Sequence, residues 1–225
     1  ELYNGHPKLP TLVQKIMSRA ISICDRRGLN DIVVCSEMCG KYMSLLGRSV
    51  TFIKPTLRIP VVSQKRKLLD YQTKICSIMS NPDLKGVGLL AEIAEAFPHK
   101  TFVLISQKFP TIELPSNIEF FSPVSRQDMF SVAASCLANI SCSEKESLGL
   151  PIYEAMALDL PSIFRVNQAN GSLDKNKFLA FSDFDVDKLN QIFCTLCDGK
   201  AVAKILIDQR ELLNTKFRVI FSYDT

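Results

Sequence analysis

The stretch EKESLGLPIYEAMALDLP, residues 144–161, combines a polar loop with the start of a helix. Gly149 stands two residues before Pro151, and proline is tolerated at a helix start because its missing N–H would have no partner there. Glycine lets a ligand approach the backbone closely, and the free amides of a first helical turn attract anions. We therefore expect Glu146 on the loop and Glu154 on the first turn to contact different ends of one ligand, such as a sugar diphosphate.

The same residues resemble a known signature. Ser143, Glu146, the Gly-Leu-Pro at 149–151 and the Glu-Ala-Met-Ala at 154–157 are similar to the E-x7-E motif of family 4-like retaining glycosyltransferases. Those enzymes have two Rossmann-type domains, an arrangement called the GT-B fold. The alternative interpretation is a helix with glutamates near its N-terminus, which the helix dipole favours without any ligand. The residues between and after the two glutamates favour the resemblance.

The resemblance implies that Glu146 and Lys85 act in catalysis. Glu146 would hold hydroxyls of the transferred sugar. Lys85 is similar to the lysine that binds the donor's diphosphate in the family, where a compact ammonium suits a phosphate. Charge on the leaving diphosphate would be stabilised by Lys85 and by helix amides rather than by a metal. A lone lysine before Gly86 is equally typical of a solvated residue at a helix start.

The resemblance also implies further substrate-binding residues. Glu154 would accept hydrogen bonds from the ribose hydroxyls of the donor. Amides near Gly149 and Leu150 would meet the diphosphate, and Ser122 and Pro123 stand where the family contacts the nucleotide base.

Some positions depart from the family pattern. Ser80 takes the substrate-binding position, five residues before Lys85, where the family has an arginine, and Met79 replaces the glycine before it. Asp159 replaces the glycine that usually ends the motif helix. Asp tolerates a left-handed conformation better than most residues but carries the wrong charge for a helix C-terminus. These departures leave open an alternative function, a catalytically degenerate nucleotide-sugar-binding domain or a non-catalytic subunit of a glycan-assembly complex.

The activity implied by the resemblance is transfer of a sugar from a nucleotide-diphosphate sugar to a glycan, lipid or protein acceptor, with retention of anomeric configuration. The nucleotide sugar is a substrate, and neither a cofactor nor a metal is expected. The alternating aspartates Asp183, Asp185 and Asp187 stand at a predicted helix start and are typical of capping. A nucleic-acid partner is not expected, because the predicted site has no basic aromatic platform.

Short apolar segments alternate with amphipathic segments along the chain. Strands are predicted at 31–35 and 49–53 and then at 74–79, 101–105, 118–121, 136–141, 161–166 and 178–181. This alternation favours an α/β fold with a Rossmann-like, doubly wound parallel sheet, of the kind that forms the C-terminal domain in GT-B enzymes. We expect residues 1–54 to be the end of an acceptor-side domain and residues 55–225 to be the donor-binding domain, with a linker-like start at 55–70.

In such a sheet, ligands bind beyond the carboxyl ends of the strands. The segments around Lys85, Ser122-Pro123, 141–149 and 167–171 each follow a predicted strand. We therefore expect them to collect along one edge and form one composite site. For residues 167–171, a simple turn with no role in binding is the favoured interpretation.

Charge and cysteine content suggest a location in the cell. The net charge is +4, and residues 1–70 carry twelve Lys/Arg against five Asp/Glu. This basic excess is typical of a solvated face, or of attraction to an anionic membrane surface or a phosphate-bearing acceptor. The eight cysteines lie mostly in apolar periodic segments and include one CxxC pair. We interpret them as reduced thiols of a cytoplasmic protein, with peripheral membrane association as an additional hypothesis.

Overall fold

The computed structural model describes residues 32–34, 50–60, 74–123, 125–146, 148–167, 170–171, 173 and 178–222. The chain divides into two compact units, Glu1–Lys54 and Pro55–Thr225. In the first unit, strands β1 (Ile32–Val34) and β2 (Val50–Phe52) pair in parallel. Helical spacing of apolar residues predicts helices over residues 9–27 and after residue 36, and both segments lie outside the described residues. The roles of the two units as acceptor-side and donor-binding domains stay predictions.

The second unit contains a six-stranded sheet with strands β4 (Lys74–Ile78), β5 (Thr101–Ile105), β6 (Ile118–Phe121), β7 (Ala138–Ser141), β8 (Ser162–Arg165) and β9 (Leu179–Phe181). Their order is β6-β5-β4-β7-β8-β9, and every neighbouring pair is parallel. Its α-helices are α1 (Val87–Ala96), α2 (Arg126–Ala134), α3 (Leu150–Ala157), α4 (Val186–Thr195) and α5 (Gly199–Lys216). The predicted α/β class with a Rossmann-like parallel sheet is confirmed.

Both faces of this sheet are covered, which is why its strands are apolar runs rather than alternating sequences. On one face, Ile75 and Ile140 pack in a cluster with Ile93 of α1 and Phe193 of α4. On the other face, α2 and α3 lie against the strands through smaller clusters, one of which joins Cys76, Val103, Ala133 and Ala155. The helices begin at sequence-specific caps: Ser125 and Asp128 form a capping box at α2, and Asp185 caps α4.

The linker predicted over residues 55–70 is wrong in its first part. Thr56–Pro60 forms strand β3, which pairs in parallel with β10 (Arg218–Ser222) near the end of the chain. Leu57 and Ile59 are buried while Thr56 and Arg58 are exposed, an alternation too short to stand out between two prolines. Its partner strand lies about 160 positions away, so no local pattern signals the pairing. Residues 65–67, which contribute Lys-Arg-Lys to the basic excess of residues 1–70, lie outside the described residues.

The strand order places a topological switch point between β4 and β7. The chain steps outward from β4 to β5 and β6, and then returns to the other side of β4 with β7. Connections on the two sides of this point leave in opposite directions and open a crevice at the carboxyl ends of β4 and β7. The loops that follow these two strands carry Lys85 and Glu146, so the fold brings both residues to the crevice.

Within the described helices, none is long and apolar enough to cross a bilayer.

Asp159 follows α3 in a left-handed conformation, with φ 58°. Its two carboxylate oxygens accept hydrogen bonds from Arg210 of α5 at 2.8 and 2.9 Å. The guanidinium offsets the unfavourable position of a negative charge near a helix C-terminus. Asp159 thus adopts the left-handed conformation in which the family has a glycine, as aspartate does more readily than most residues.

Candidate functional site

A pocket lies at the switch point, between the loops that follow β4 and β7. Its lining includes Ser77 on β4, Lys85, Ser143, Glu146 and Gly149. The empty space within it, including the part open to solvent, is about 240 Å³. This space is too small to enclose a nucleotide sugar, so such a ligand would extend beyond it along the edge of the sheet.

Lys85 and Glu146 form an ion pair across this pocket. Lys85 Nζ donates to Glu146 Oε1 at 2.9 Å, and the side chains are 29% and 13% exposed. Partial burial weakens the screening by solvent, so the two charges attract each other more strongly than an exposed pair would. The predicted phosphate-binding cation and the predicted sugar-binding carboxylate therefore lie side by side.

Two glycines in the loops of the pocket have left-handed backbone conformations, and one of them, Gly86, allows the loops to approach each other closely. Gly86 has φ 88°, and a Cβ built on it would lie 2.4 Å from the carbonyl oxygen of Cys142. Only glycine fits this contact between the two loops. Gly149 precedes α3 with φ 72°, also in the left-handed region. A Cβ on Gly149 would meet only ordinary contacts, the nearest being Ile152 Cδ1 at 3.5 Å, so backbone conformation alone favours glycine there.

Buried polar side chains hold the loop after β7 in place. Ser77 Oγ donates to the carbonyl of Ile140 at 2.7 Å, and Ser143 Oγ donates to the carbonyl of Lys145 at 3.1 Å. Asn167, in the turn after β8, donates from Nδ2 to the carbonyl of Ser143 at 2.9 Å. Ser77 thus connects β4 to β7, and Asn167 connects the loop that carries Glu146 to the turn after β8.

Cys142 is fully buried beside this loop. Burial raises the pKa of its thiol from 9.0 to about 12, and the positive charge of Arg165 opposes part of that rise. The thiol is therefore neutral at physiological pH, and Cys142 acts in the pocket wall as a small apolar residue.

Glu154 lies outside the lining of this pocket. It is the fifth residue of α3 rather than a residue of the first turn, and its side chain is 7% exposed. Arg126, the first residue of α2, donates from Nη2 to Glu154 Oε1 at 2.6 Å and to the carbonyl of Arg58 at 3.2 Å. The two glutamates of the motif thus have two different cations as partners.

The remaining predicted residues occupy the same edge of the sheet. Ser80 and Ser122 are exposed just beyond β4 and β6, and Pro123 is buried. Leu150 is the first residue of α3 and is 42% exposed. None of these side chains lines the pocket between the described loops. Their roles stay predictions.

Sequence reasoning missed Arg126 and the tight contact at Gly86. Arg126 is the first residue of α2, immediately after the cap Ser125. The helix dipole does not favour a basic residue at this position, so no local rule pointed to a role for it. The positive φ of Gly86 follows from its place before α1, but its contact with Cys142 depends on two loops that are distant in sequence. Only the assembled sheet shows that contact.

No protein-family model and no curated protein sequence matches this chain. Solved structures do match it. TarM superposes with a TM-score of 0.70 at 15% identity, covering 96% of this chain and 45% of that chain. WaaG, a glycosyltransferase involved in lipopolysaccharide biosynthesis, superposes with a TM-score of 0.62 at 16% identity, covering 84% and 59%.

A structure of HepE from Anabaena in complex with UDP-glucose superposes with a TM-score of 0.66 at 15% identity, covering 84% of this chain and 60% of that chain. The chain thus spans between 45% and 60% of the length of these three proteins. At such low identity the likeness concerns the fold. The chain therefore has the Rossmann-like α/β fold of GT-B glycosyltransferases, as its sequence predicted.

Proposed function

We propose that this chain carries the donor-binding domain of a retaining glycosyltransferase, which moves a sugar from a nucleotide-diphosphate sugar to an acceptor hydroxyl. In the reaction, the bond between the anomeric carbon and the diphosphate oxygen breaks. A new bond to the acceptor oxygen forms on the same face of the sugar, and the proton of the acceptor hydroxyl passes to the departing diphosphate. The acceptor is a glycan, a lipid or a protein.

The ion pair between Lys85 and Glu146 is the observation that carries this proposal. In a nucleotide sugar the phosphate and the sugar hydroxyls are separated by only a few bonds, so their partners in the protein must be close together. The 2.9 Å between Lys85 Nζ and Glu146 Oε1 satisfies this requirement at the switch point of a parallel sheet. The same fold binds UDP-glucose in HepE.

Donor binding would exchange this ion pair for contacts with the ligand. The ammonium of Lys85 would move to the diphosphate, and Glu146 would accept hydrogen bonds from the sugar. As the diphosphate leaves, its growing negative charge would be stabilised by Lys85 and by amides at the start of α3. Breaking the ion pair costs free energy, so a ligand that replaces both partners should bind more tightly than one that replaces only one.

A catalytically degenerate nucleotide-sugar-binding domain is the second candidate function, and Ser80 favours it. The uncharged Ser80 is exposed beyond β4, where the resemblance leads one to expect an arginine. A diphosphate held by one cation instead of two receives less stabilisation in the transition state. This domain would bind a nucleotide sugar, alone or as a subunit of a glycan-assembly complex, without turning it over.

Calorimetry on the 225-residue chain separates these functions. UDP-glucose and UDP are titrated in parallel with UMP and uridine, and the equivalent guanosine and adenosine compounds follow. We expect a diphosphate to be required for tight binding and the sugar to add affinity. Turnover is measured on the full-length protein, because acceptor-side catalytic residues are expected outside this chain. There, release of free UDP in the presence of sugar acceptors supports the transferase, and the anomer of the product, read by NMR, tests retention. Binding without turnover in the full-length protein favours the degenerate domain, and no binding of any of these ligands contradicts both.

A further inference from the structure

Arg126 links three elements at the edge of the second unit. From the first position of α2, its Nη2 donates to Glu154 Oε1 on α3 at 2.6 Å and to the carbonyl of Arg58 on β3 at 3.2 Å. Its guanidinium carbon lies 5.0 Å from the centre of the Phe130 ring, a second contact with α2. These contacts fix the guanidinium although the Arg126 side chain is 56% exposed.

Glu154 needs this partner because it is buried. A carboxylate at 7% exposure has lost most of its hydration, and an opposite charge with a direct hydrogen bond compensates for that loss. The distance of 2.6 Å is at the short end of charge-assisted hydrogen bonds. Arg126 therefore determines where Oε1 points and keeps that oxygen occupied.

The second oxygen of Glu154 is left for a ligand. Within the described part of the chain, Oε2 has no hydrogen-bond donor, since the contact with Arg126 involves Oε1 alone. A carboxylate with both oxygens available accepts from two hydroxyls, whereas this one offers a single oxygen. Arg126 also follows the predicted base-contacting turn, Ser122-Pro123, by three residues along the chain.

We infer that Arg126 is a positioning residue for nucleotide recognition: by holding Oε1 of Glu154, it presents Oε2 to one ribose hydroxyl and so makes the site selective for ribonucleotides. This inference rests on the proposed function and adds to it a residue that acts through Glu154. Arg126 sets the discrimination between ribose and deoxygenated ribose, while Lys85 binds the phosphates independently.

The test compares UDP with 2′,3′-dideoxyuridine diphosphate, which keeps the base and the diphosphate but has no ribose hydroxyls. The affinity ratio of the two ligands is measured by calorimetry on the 225-residue chain. We expect the unmodified protein to prefer UDP by roughly ten- to a hundredfold, as one hydrogen bond to a charged acceptor predicts. Arg126→Ala should bring the ratio close to one and leave the affinity for the dideoxy ligand nearly unchanged. Arg126→Lys should restore part of the ratio, because an ammonium can still bind Oε1.

A double variant distinguishes positioning from direct contact. Glu154→Gln removes the buried charge, so Arg126→Ala in that background leaves no carboxylate without a partner. If Arg126 acts only through Glu154, the double variant has the same affinity ratio as Glu154→Gln alone. Arg210→Ala is the matched control: Arg210 binds Asp159, at the other end of the same helix α3, and its removal should not change the ratio.

The outcomes separate this inference from the proposed function. If UDP binds and Arg126→Ala keeps the full discrimination, the inference is overturned and the proposed function stands. A double variant with a lower ratio than Glu154→Gln alone also overturns it, because Arg126 would then contact the nucleotide directly. If the unmodified protein binds no nucleoside diphosphate at all, the proposed function fails and this inference fails with it. Equal ratios for Glu154→Gln and the double variant exclude direct contact with the nucleotide. Where Arg126→Ala does not fold, Arg126→Lys carries the test, and a ratio equal to that of the unmodified protein overturns the inference.

Discussion

Lys85 and Glu146 are 61 positions apart in the sequence, yet Lys85 Nζ and Glu146 Oε1 lie 2.9 Å from each other. Lys85 is held by the loop after β4 and Glu146 by the loop after β7, so the ion pair bridges the switch point of the sheet. The contact of Gly86 with the carbonyl of Cys142 brings the same two loops together. The pair therefore depends on the strand order and not on any local helix or turn.

Lys85→Ala should weaken diphosphate binding selectively. The variant removes the cation proposed to bind phosphate, and a hydrogen bond between charged groups contributes roughly 1.5–3 kcal/mol. We expect UDP to lose about ten- to a hundredfold in affinity in calorimetry and uridine to lose almost none. Lys188→Ala, which removes an exposed lysine on α4, is the control and should leave both affinities unchanged. An equal loss for UDP and uridine would mean that Lys85 does not act on phosphate.

Glu146→Ala and Glu154→Ala should differ in the ligands that they lose. Glu146→Ala should weaken UDP-glucose but spare UDP, because its proposed partner is the sugar. Glu154→Ala should weaken both by a similar factor, because both ligands contain the ribose. Each loss should again correspond to roughly 1.5–3 kcal/mol.

The comparison is made by titrating both ligands into both variants under identical conditions. Glu92→Ala, which removes an exposed glutamate on α1, serves as the control for loss of a carboxylate. If the two motif variants lose the same ligands to the same degree, or if neither loses any, the division of roles is wrong. Two glutamates that serve only as ion-pair partners of Lys85 and Arg126 would then be the better interpretation of the motif.

Much of the main sheet could be predicted from the sequence. The strands at 101–105 and 118–121 were predicted with the bounds that the structure shows, because each is a short apolar run between turn residues. The capping of α2 by Ser125 follows from the same local rules. Strand–helix alternation with short connections then leaves few arrangements other than a parallel sheet.

The rest of the fold and site depends on long-range contacts. Strand β3 was assigned to a linker because its partner β10 is near the other end of the chain. The ion pair between Arg126 and Glu154 joins residues 28 positions apart on different helices. Sequence patterns report on residues that are near each other along the chain. Each of these two contacts joins two separate elements, so no such pattern indicates it. The candidate site residues were named from the family resemblance, and no local pattern could predict the ion-pair partners of Glu146 and Glu154.

Gly86→Ala should strongly destabilise the second unit. Its φ of 88° is unfavourable for any residue with a Cβ, and the added Cβ would lie 2.4 Å from the carbonyl oxygen of Cys142. The left-handed conformation alone costs roughly 1–2 kcal/mol, and relieving the clash adds to this. We expect the free energy of unfolding, measured with urea, to fall by more than about 2 kcal/mol.

Gly88→Ala is the matched control, because Gly88 lies inside α1 and a Cβ there would meet nothing within 4 Å. Alanine in a helix is more favourable than glycine by roughly 0.5–1 kcal/mol, so this variant should be slightly more stable than the unmodified protein. Equal effects of the two substitutions would contradict the close contact between the loops after β4 and β7.

Cys142 should be protected from thiol reagents in the folded protein, whereas Cys194 and Cys197 should react. Cys142 is buried, and burial raises its pKa to about 12, so almost no reactive thiolate is present at pH 8. Cys194 and Cys197 are free and exposed on the surface. Alkylation with iodoacetamide, followed by mass spectrometry of the peptides, measures each cysteine separately. Unfolding in urea should make Cys142 as reactive as the other two.

The raised pKa also predicts how stability changes at alkaline pH. The folded state holds the Cys142 proton up to about pH 12, whereas the unfolded state releases it near 9.0. The contribution of this thiol to stability is therefore complete below pH 9 and decreases as the pH rises from there towards 12, by at most about 1.4 kcal/mol per pH unit. Cys142→Ala should make the loss of unfolding free energy over this range less steep. The same slope in the variant and the unmodified protein, or rapid alkylation of Cys142 at pH 8, would show that the thiol is accessible to water.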